Sequence, residues 1–168
     1  MQEAREIIKI LSLKPLPGEG GYYRETYRSA SKLPKEMLTD SYVSGKHLCT
    51  AIFYLLTPDT FSNLHRLPTD EIYHFYLGDP VTMLLLYPDW TGKIITLGQD
   101  IKKGHSLQLV VPGGVWQGSF LAEGGKYALM GTTMSPGFDF SDYEPGLRSF
   151  LIEKYIEYKD IIIKLTKE

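Results

Sequence analysis

Leu64-His65-Arg66-Leu67-Pro68-Thr69-Asp70-Glu71-Ile72-Tyr73-His74-Phe75-Tyr76-Leu77-Gly78 is the stretch that decides how this chain is read. Two β-forming runs, 62–66 and 71–77, flank the turn-like Leu67-Pro68-Thr69-Asp70, and side chains along a strand alternate between its two faces. Glu71, Tyr73, Phe75 and Leu77 therefore share one face, and Ile72, His74 and Tyr76 the other. If Glu71 points inward, Tyr73 joins it and His74 does not. The turn makes the two runs antiparallel neighbours, which brings His65 beside Glu71. A carboxylate there raises the pKa of the imidazole and fixes its tautomer, so that it can exchange a proton near neutral pH.

Outward from this stretch, short β-rich runs recur at 47–56, 81–87, 93–97, 106–111, 115–121 and 127–134. Turn residues such as Gly78-Asp79-Pro80, Pro88-Asp89-Trp90-Thr91-Gly92 and Pro112-Gly113-Gly114 separate them. Many short strands at this spacing predict an antiparallel sandwich or barrel. Before them, Ile7, Ile8 and Leu11 fall on one helical face until Pro15 and Pro17 end the pattern. Residues 22–28, rich in tyrosine, read as a strand, and 29–45 as a loop. Beyond Pro136-Gly137, helical spacing returns with Leu147, Phe150, Leu151 and Tyr155, then Ile161, Ile162 and Leu165. The organisation expected is one domain: a leading helix over 1–14, a β-barrel over 15–135 and a helical cap over 136–168.

The chain has 168 residues, 43% of them hydrophobic, enough for one well-buried core. Its formal net charge of −2 carries no basic block, so neither nucleic acid nor an anionic membrane surface is expected as partner. Cys49 is the single cysteine and cannot close an intrachain disulfide, which fits a reducing compartment. No segment has the length of a membrane-spanning helix, and Glu3 and Glu6 stand where a signal peptide carries basic residues. A soluble, cytoplasmic protein is expected.

In the small jelly-roll barrels called cupins, a first motif runs His-x-His, three or four residues, Glu, six residues, Gly. A second carries Pro-x-Gly and a histidine three positions on. His65, Glu71 and Gly78 fall on the first motif, and Pro112 and Gly114 on the second, so the spacing resembles a cupin. Leu67 stands at the second histidine and Gln117 at the last. The resemblance extends to the uncharacterised cupin 5 family, labelled as a domain of unknown function. It is carried by Gly20-Gly21-Tyr22-Tyr23-Arg24-Glu25-Thr26-Tyr27, His65-Arg66, Asp70 to Tyr76, Gly78 and Val111 to Gln117. It implies a mainly β fold, the double-stranded β-helix or cupin jelly roll, with a short N-terminal helix and C-terminal helices. It also implies a homodimer similar in structure to dTDP-sugar 3,5-epimerases, without an assigned reaction.

These readings converge on a small polar, sugar-like or anionic molecule held in the barrel. In an isomerase- or epimerase-like reaction His65 is the base, Glu71 orients it, and Tyr73 returns the proton. Arg24, with Glu25 on the same strand, or Arg66 meets the anionic part of the ligand. Trp116 stacks on a ring, Gln117 lines the pocket, and His74 is a further ligand candidate, although alternation places it outside or at a dimer contact. The same pocket also suits a non-catalytic binding or sensor module. A third reading is a weakly held divalent metal on His65, Glu71 and the neutral oxygen of Gln117; no cofactor is required by the other two.

Overall fold

The computed structural model describes residues 2–167. Its strands are β1 (Lys14–Pro15), β2 (Tyr22–Arg28), β3 (Lys32–Leu33), β4 (Lys46–His47), β5 (Thr50–Leu56), β6 (Phe61–Arg66) and β7 (Glu71–Gly78). They continue as β8 (Val81–Leu86), β9 (Gly92–Leu97), β10 (Gln108–Val111), β11 (Trp116–Leu121), β12 (Ala128–Met134) and β13 (Glu144–Pro145). The α-helices are α1 (Gln2–Ile10), α2 (Arg148–Lys154) and α3 (Lys159–Lys164). Two antiparallel sheets face one another, one ordered β1-β2-β5-β12-β7-β10 and the other β13-β6-β11-β8-β9. This is the expected mainly β jelly roll with helices at both ends. The segment 29–45, expected as a loop, contributes β3 of a short β3–β4 ladder and a 3-10 turn at Lys35–Met37.

Burial on both faces explains why some strands lack polar alternation. On β8, Val81, Met83 and Leu85 enter the core between the sheets, while Leu84 and Leu86 lie in a second apolar layer beneath the C-terminal helices. That layer includes Leu151 of α2 and Ile162 of α3, and burying each such side chain contributes roughly 1.5–3 kcal/mol. On the opposite side, α1 and the turn after it set Ala4 and Leu13 over Leu55 and Leu129, on the outer face of the six-stranded sheet. Gly78 ends β7 at φ +103°, where a Cβ would strike the Tyr127 carbonyl, so this position of the motif requires glycine.

The expected hairpin between residues 62–66 and 71–77 does not form. β6 pairs with β11 and β13, whereas β7 pairs with β12 and β10, in the other sheet. The link between them is an inter-sheet crossing. A hairpin turn lies in solvent, but Leu67 and Thr69 are both 4% exposed here. The Thr69 hydroxyl lies 2.7 Å from that of Tyr42, and Asp70 accepts the Gly113 amide at 2.8 Å. Apolar and hydrogen-bonded anchoring thus outweighs the turn propensity of Pro68-Thr69-Asp70.

Candidate functional site

A cavity of about 320 Å³ opens on the inner face of the six-stranded sheet, closed over by the loop before β2, the β6–β7 link and the segment after β12. Its inner wall carries Glu19, Tyr54, Glu71 and Tyr73, and its rim carries Lys14, Arg24, Glu25, Arg28, Phe138 and Phe140. Alternation on β7 puts Glu71 and Tyr73 on the cavity side, 6% and 1% exposed. From the facing sheet, β11 delivers Gln117 directly opposite His65 of β6. The Gln117 amide donates to Glu71 Oε2 at 2.8 Å and so joins the two sheets across the barrel.

Glu19 comes from the loop before β2. The Glu19 carbonyl accepts the Asn63 backbone amide at 2.8 Å, and the Ser62 hydroxyl donates to the Glu19 carboxyl at 2.9 Å. Gly20 follows at φ +106°, with no room for a Cβ against the Phe61 carbonyl, so the loop lies directly on β6. Burial raises the Glu19 pKa to about 7, with the Ser62 hydrogen bond opposing the shift. Glu71 is raised too, first by burial and then by the charge of Glu19, against the lowering effects of His65, Thr132 and Gln117. Tyr73 is held well above the usual phenol range by burial and the nearby carboxylates.

His65 is 1% exposed and sits behind the cavity wall. Its Nδ1 lies 2.7 Å from the Asn63 carbonyl. A carbonyl can only accept, so Nδ1 carries the proton and Nε2 keeps a lone pair. That nitrogen faces Glu19 Oε2 at 4.0 Å, and the ring stacks on Tyr143 with centroids 5.0 Å apart. The expectation of a raised histidine pKa is corrected. Burial lowers it, and the opposing influences of the Glu71 charge and the Asn63 carbonyl are smaller. The tautomer is set by that carbonyl and not by Glu71.

Arg24 and Glu25 stand at the cavity rim, Arg24 also over the Phe53 ring at 5.5 Å and Glu25 paired with Arg28 at 2.6 Å. Gln117, expected to line the pocket, is 1% exposed and lies behind the wall beside His65, bonded to Glu71, and three further expected ligand residues lie elsewhere. Arg66 and Trp116 occupy the outer face of the five-stranded sheet: Arg66 pairs with Glu144 at 2.7 Å and lies 4.6 Å from the Trp116 ring centroid. Trp116 packs in the apolar layer under the C-terminal helices. His74 also faces outward, its Nδ1 3.1 Å from the Gln108 amide nitrogen and its Nε2 3.2 Å from the Thr133 hydroxyl. Strand parity is the reason, since neighbours of His65, Gln117 and Tyr73 on the same strands must point away from the interior. Glu19, Tyr54, Lys14, Phe138 and Phe140 went unrecognised in the sequence. The one available signal was a carboxylate set among glycines in Gly18-Glu19-Gly20-Gly21, a segment read only as turn chemistry.

The residues do not fit a cupin-type transition-metal centre. Leu67 supplies no ligand and Gln117 presents its N–H to Glu71. Among the described residues no three His, Cys, Asp or Glu side chains are gathered to hold an ion.

Over residues 5–145 the chain matches the family model described as Cupin superfamily (DUF985). It is 35% identical over 137 residues to an uncharacterized protein of Saccharomyces cerevisiae, a match that covers 74% of this chain and 66% of that protein, just under two thirds of its length. A hypothetical protein from Leishmania major superposes with a TM-score of 0.88 at 33% identity, over 98% of this chain and 99% of that one. A protein from Shewanella oneidensis gives 0.85 at 33% identity, over 99% of both chains. Oxalate decarboxylase of Bacillus subtilis gives 0.55 at 16% identity, over 94% of this chain and 38% of that one, a likeness of fold alone.

Proposed function

The chain belongs to the DUF985 family of the cupin superfamily, and on that premise we propose that its cavity binds a small polar molecule and moves a proton on it, as an isomerase or epimerase does. The observation that carries this reading is the pair of buried carboxyls, Glu19 and Glu71, on one cavity wall. Burial raises both, Glu19 to about 7, and the Glu19 charge raises Glu71 further, so the two resist ionising together, the arrangement in which one carboxyl can give a proton and the other take one. The chemistry suits a hydroxy-carbonyl compound. Glu71 takes the proton from the carbon beside the carbonyl, the Tyr73 hydroxyl donates a hydrogen bond to the oxygen on which charge develops, and Glu19 returns a proton.

His65 is then a positioning residue, neutral and oriented by Asn63, with its Nε2 lone pair toward Glu19. At the rim, Lys14 and Arg24 supply positive charge for an anionic end of the ligand, while Arg28 is neutralised by Glu25. Sugar phosphates and keto-sugar nucleotides combine these features. Incubating the protein with a panel of them in D2O and reading deuterium incorporation by mass spectrometry tests the proposal. At least one compound is expected to exchange, and Glu71→Gln to slow that exchange by about 10²–10⁴-fold. Binding of panel members without exchange in any of them replaces this reading with a non-catalytic binding module.

A further inference from the structure

Four buried side-chain atoms around Glu19 and His65 have no hydrogen-bond partner among the described residues: Asn63 Oδ1, Gln117 Oε1, Ser119 Oγ and Tyr143 Oη. They belong to one neighbourhood. Gln117 lies opposite His65 and Ser119 opposite Ser62 in the β6–β11 pairing, Ser62 bonds to Glu19, and Tyr143 stacks on His65. The Tyr143 hydroxyl is near enough to Glu19 that the carboxylate charge adds to burial in raising its pKa. Buried polar groups without a hydrogen-bond partner are rare in folded proteins, so four together call for a guest that both donates and accepts hydrogen bonds.

Tyr143 also lines a second hollow, of about 520 Å³, on the surface beside Arg66 and Glu144. Leu67 borders both the hollow and the cavity and forms the partition between them. We propose that a file of buried water molecules runs from this hollow past Tyr143 to Glu19 and Gln117, and that the cavity's acid exchanges its proton with solvent along it. A chain of 168 residues holds on the order of six buried waters, and such a file needs only a few. Each transfer leaves the Glu19 carboxyl as a carboxylate, passes one proton along the waters and releases one proton into the hollow; the reverse sequence restores the acid. Glu19 is thereby recharged while a ligand closes the cavity mouth. The role in proton supply rests on the acid–base reading above, but the existence of the file does not.

A high-resolution crystal structure of the unliganded protein is expected to place ordered waters within hydrogen-bond distance of Gln117 Oε1, Ser119 Oγ and Tyr143 Oη, continuous with the hollow. Tyr143→Phe is expected to remove the water at that position. It should also raise the Glu19 midpoint, read by NMR of ¹³C-labelled glutamate, by about half a pH unit, because a water-borne hydrogen bond to the ionised carboxylate is lost. A dry interior, or a Glu19 midpoint unmoved in Tyr143→Phe, overturns the proposal. Ordered waters in a protein that exchanges no deuterium into any panel compound count against the catalytic reading alone.

Discussion

Burial takes Glu19 and Glu71 out of bulk solvent, and this makes their protonation a matter of fold stability as well as chemistry. The Glu19 pKa rises from 4.5 to about 7 on folding. Between those values the unfolded chain has released the proton and the folded chain still holds it, so stability falls as pH rises. The stabilisation is fully present below about 4.5 and lost once pH has passed through about 7, an effect of about 3 kcal/mol. Glu19→Gln should abolish most of this slope, so that urea unfolding at pH 5 and pH 8 gives more similar stabilities in the variant than in the parent. An equally steep slope in the variant would assign the pH dependence elsewhere. His65 works in the opposite sense, because its lowered pKa keeps it neutral and contributes stability above about 6.5 that is lost as pH falls through its folded value.

Among the elements, the segment between β12 and β13 ties the two hollows together. It carries Phe138 and Phe140 to the cavity rim and Tyr143 to His65. Arg28 donates to the Phe138 carbonyl at 3.3 Å, and the Lys46 ammonium meets Asp142 at 2.7 Å with both side chains almost fully buried. Lys46→Ala leaves the Asp142 carboxylate buried without its cation, a change that costs about 3–5 kcal/mol and is measurable by chemical denaturation. A loss below about 1 kcal/mol, the size typical of an exposed pair, would show that the segment is not clamped there.

How far the sequence could be read also differs from element to element. The strand β2 was legible to the residue because tyrosines and a following polar stretch mark both its ends. The partners of β6 and β7 were not legible. Pro68, Thr69 and Asp70 look like a solvated turn, and only the three-dimensional position of Tyr42 and Gly113 shows that the link is buried. Parity could have excluded Arg66 and Trp116 from the interior once His65 and Gln117 were assigned to it. Glu19 was out of reach because its burial depends on a glycine-permitted approach to Phe61, a strand distant in sequence.

At the level of the whole molecule, the two sheets are covered unequally on their outer faces. The five-stranded sheet lies under α2 and α3, but α1 covers only part of the six-stranded one, where Tyr76 is 42% and Val110 51% exposed. His74 and Gln108 lie on the same open face, paired across β7 and β10. The homodimer expected from the family resemblance would use this face, since an apolar surface rimmed by polar groups suits association. Light scattering during size exclusion should give twice the chain mass, and Val110→Asp should shift it to that of one chain. A parent protein that elutes as a monomer at micromolar concentration contradicts the assignment. Among the described residues no helix is long and apolar enough to cross a membrane.

The acid–base account depends most directly on the two wall carboxyls, and NMR titration of ¹³C-labelled glutamate, with Glu19→Gln and Glu71→Gln to identify the signals, reads them both. The account predicts one carboxyl titrating near 7, a second above its usual 4.5, and a fall in the Glu71 midpoint when Glu19 is replaced. Two carboxyls titrating independently near 4.5 would contradict it.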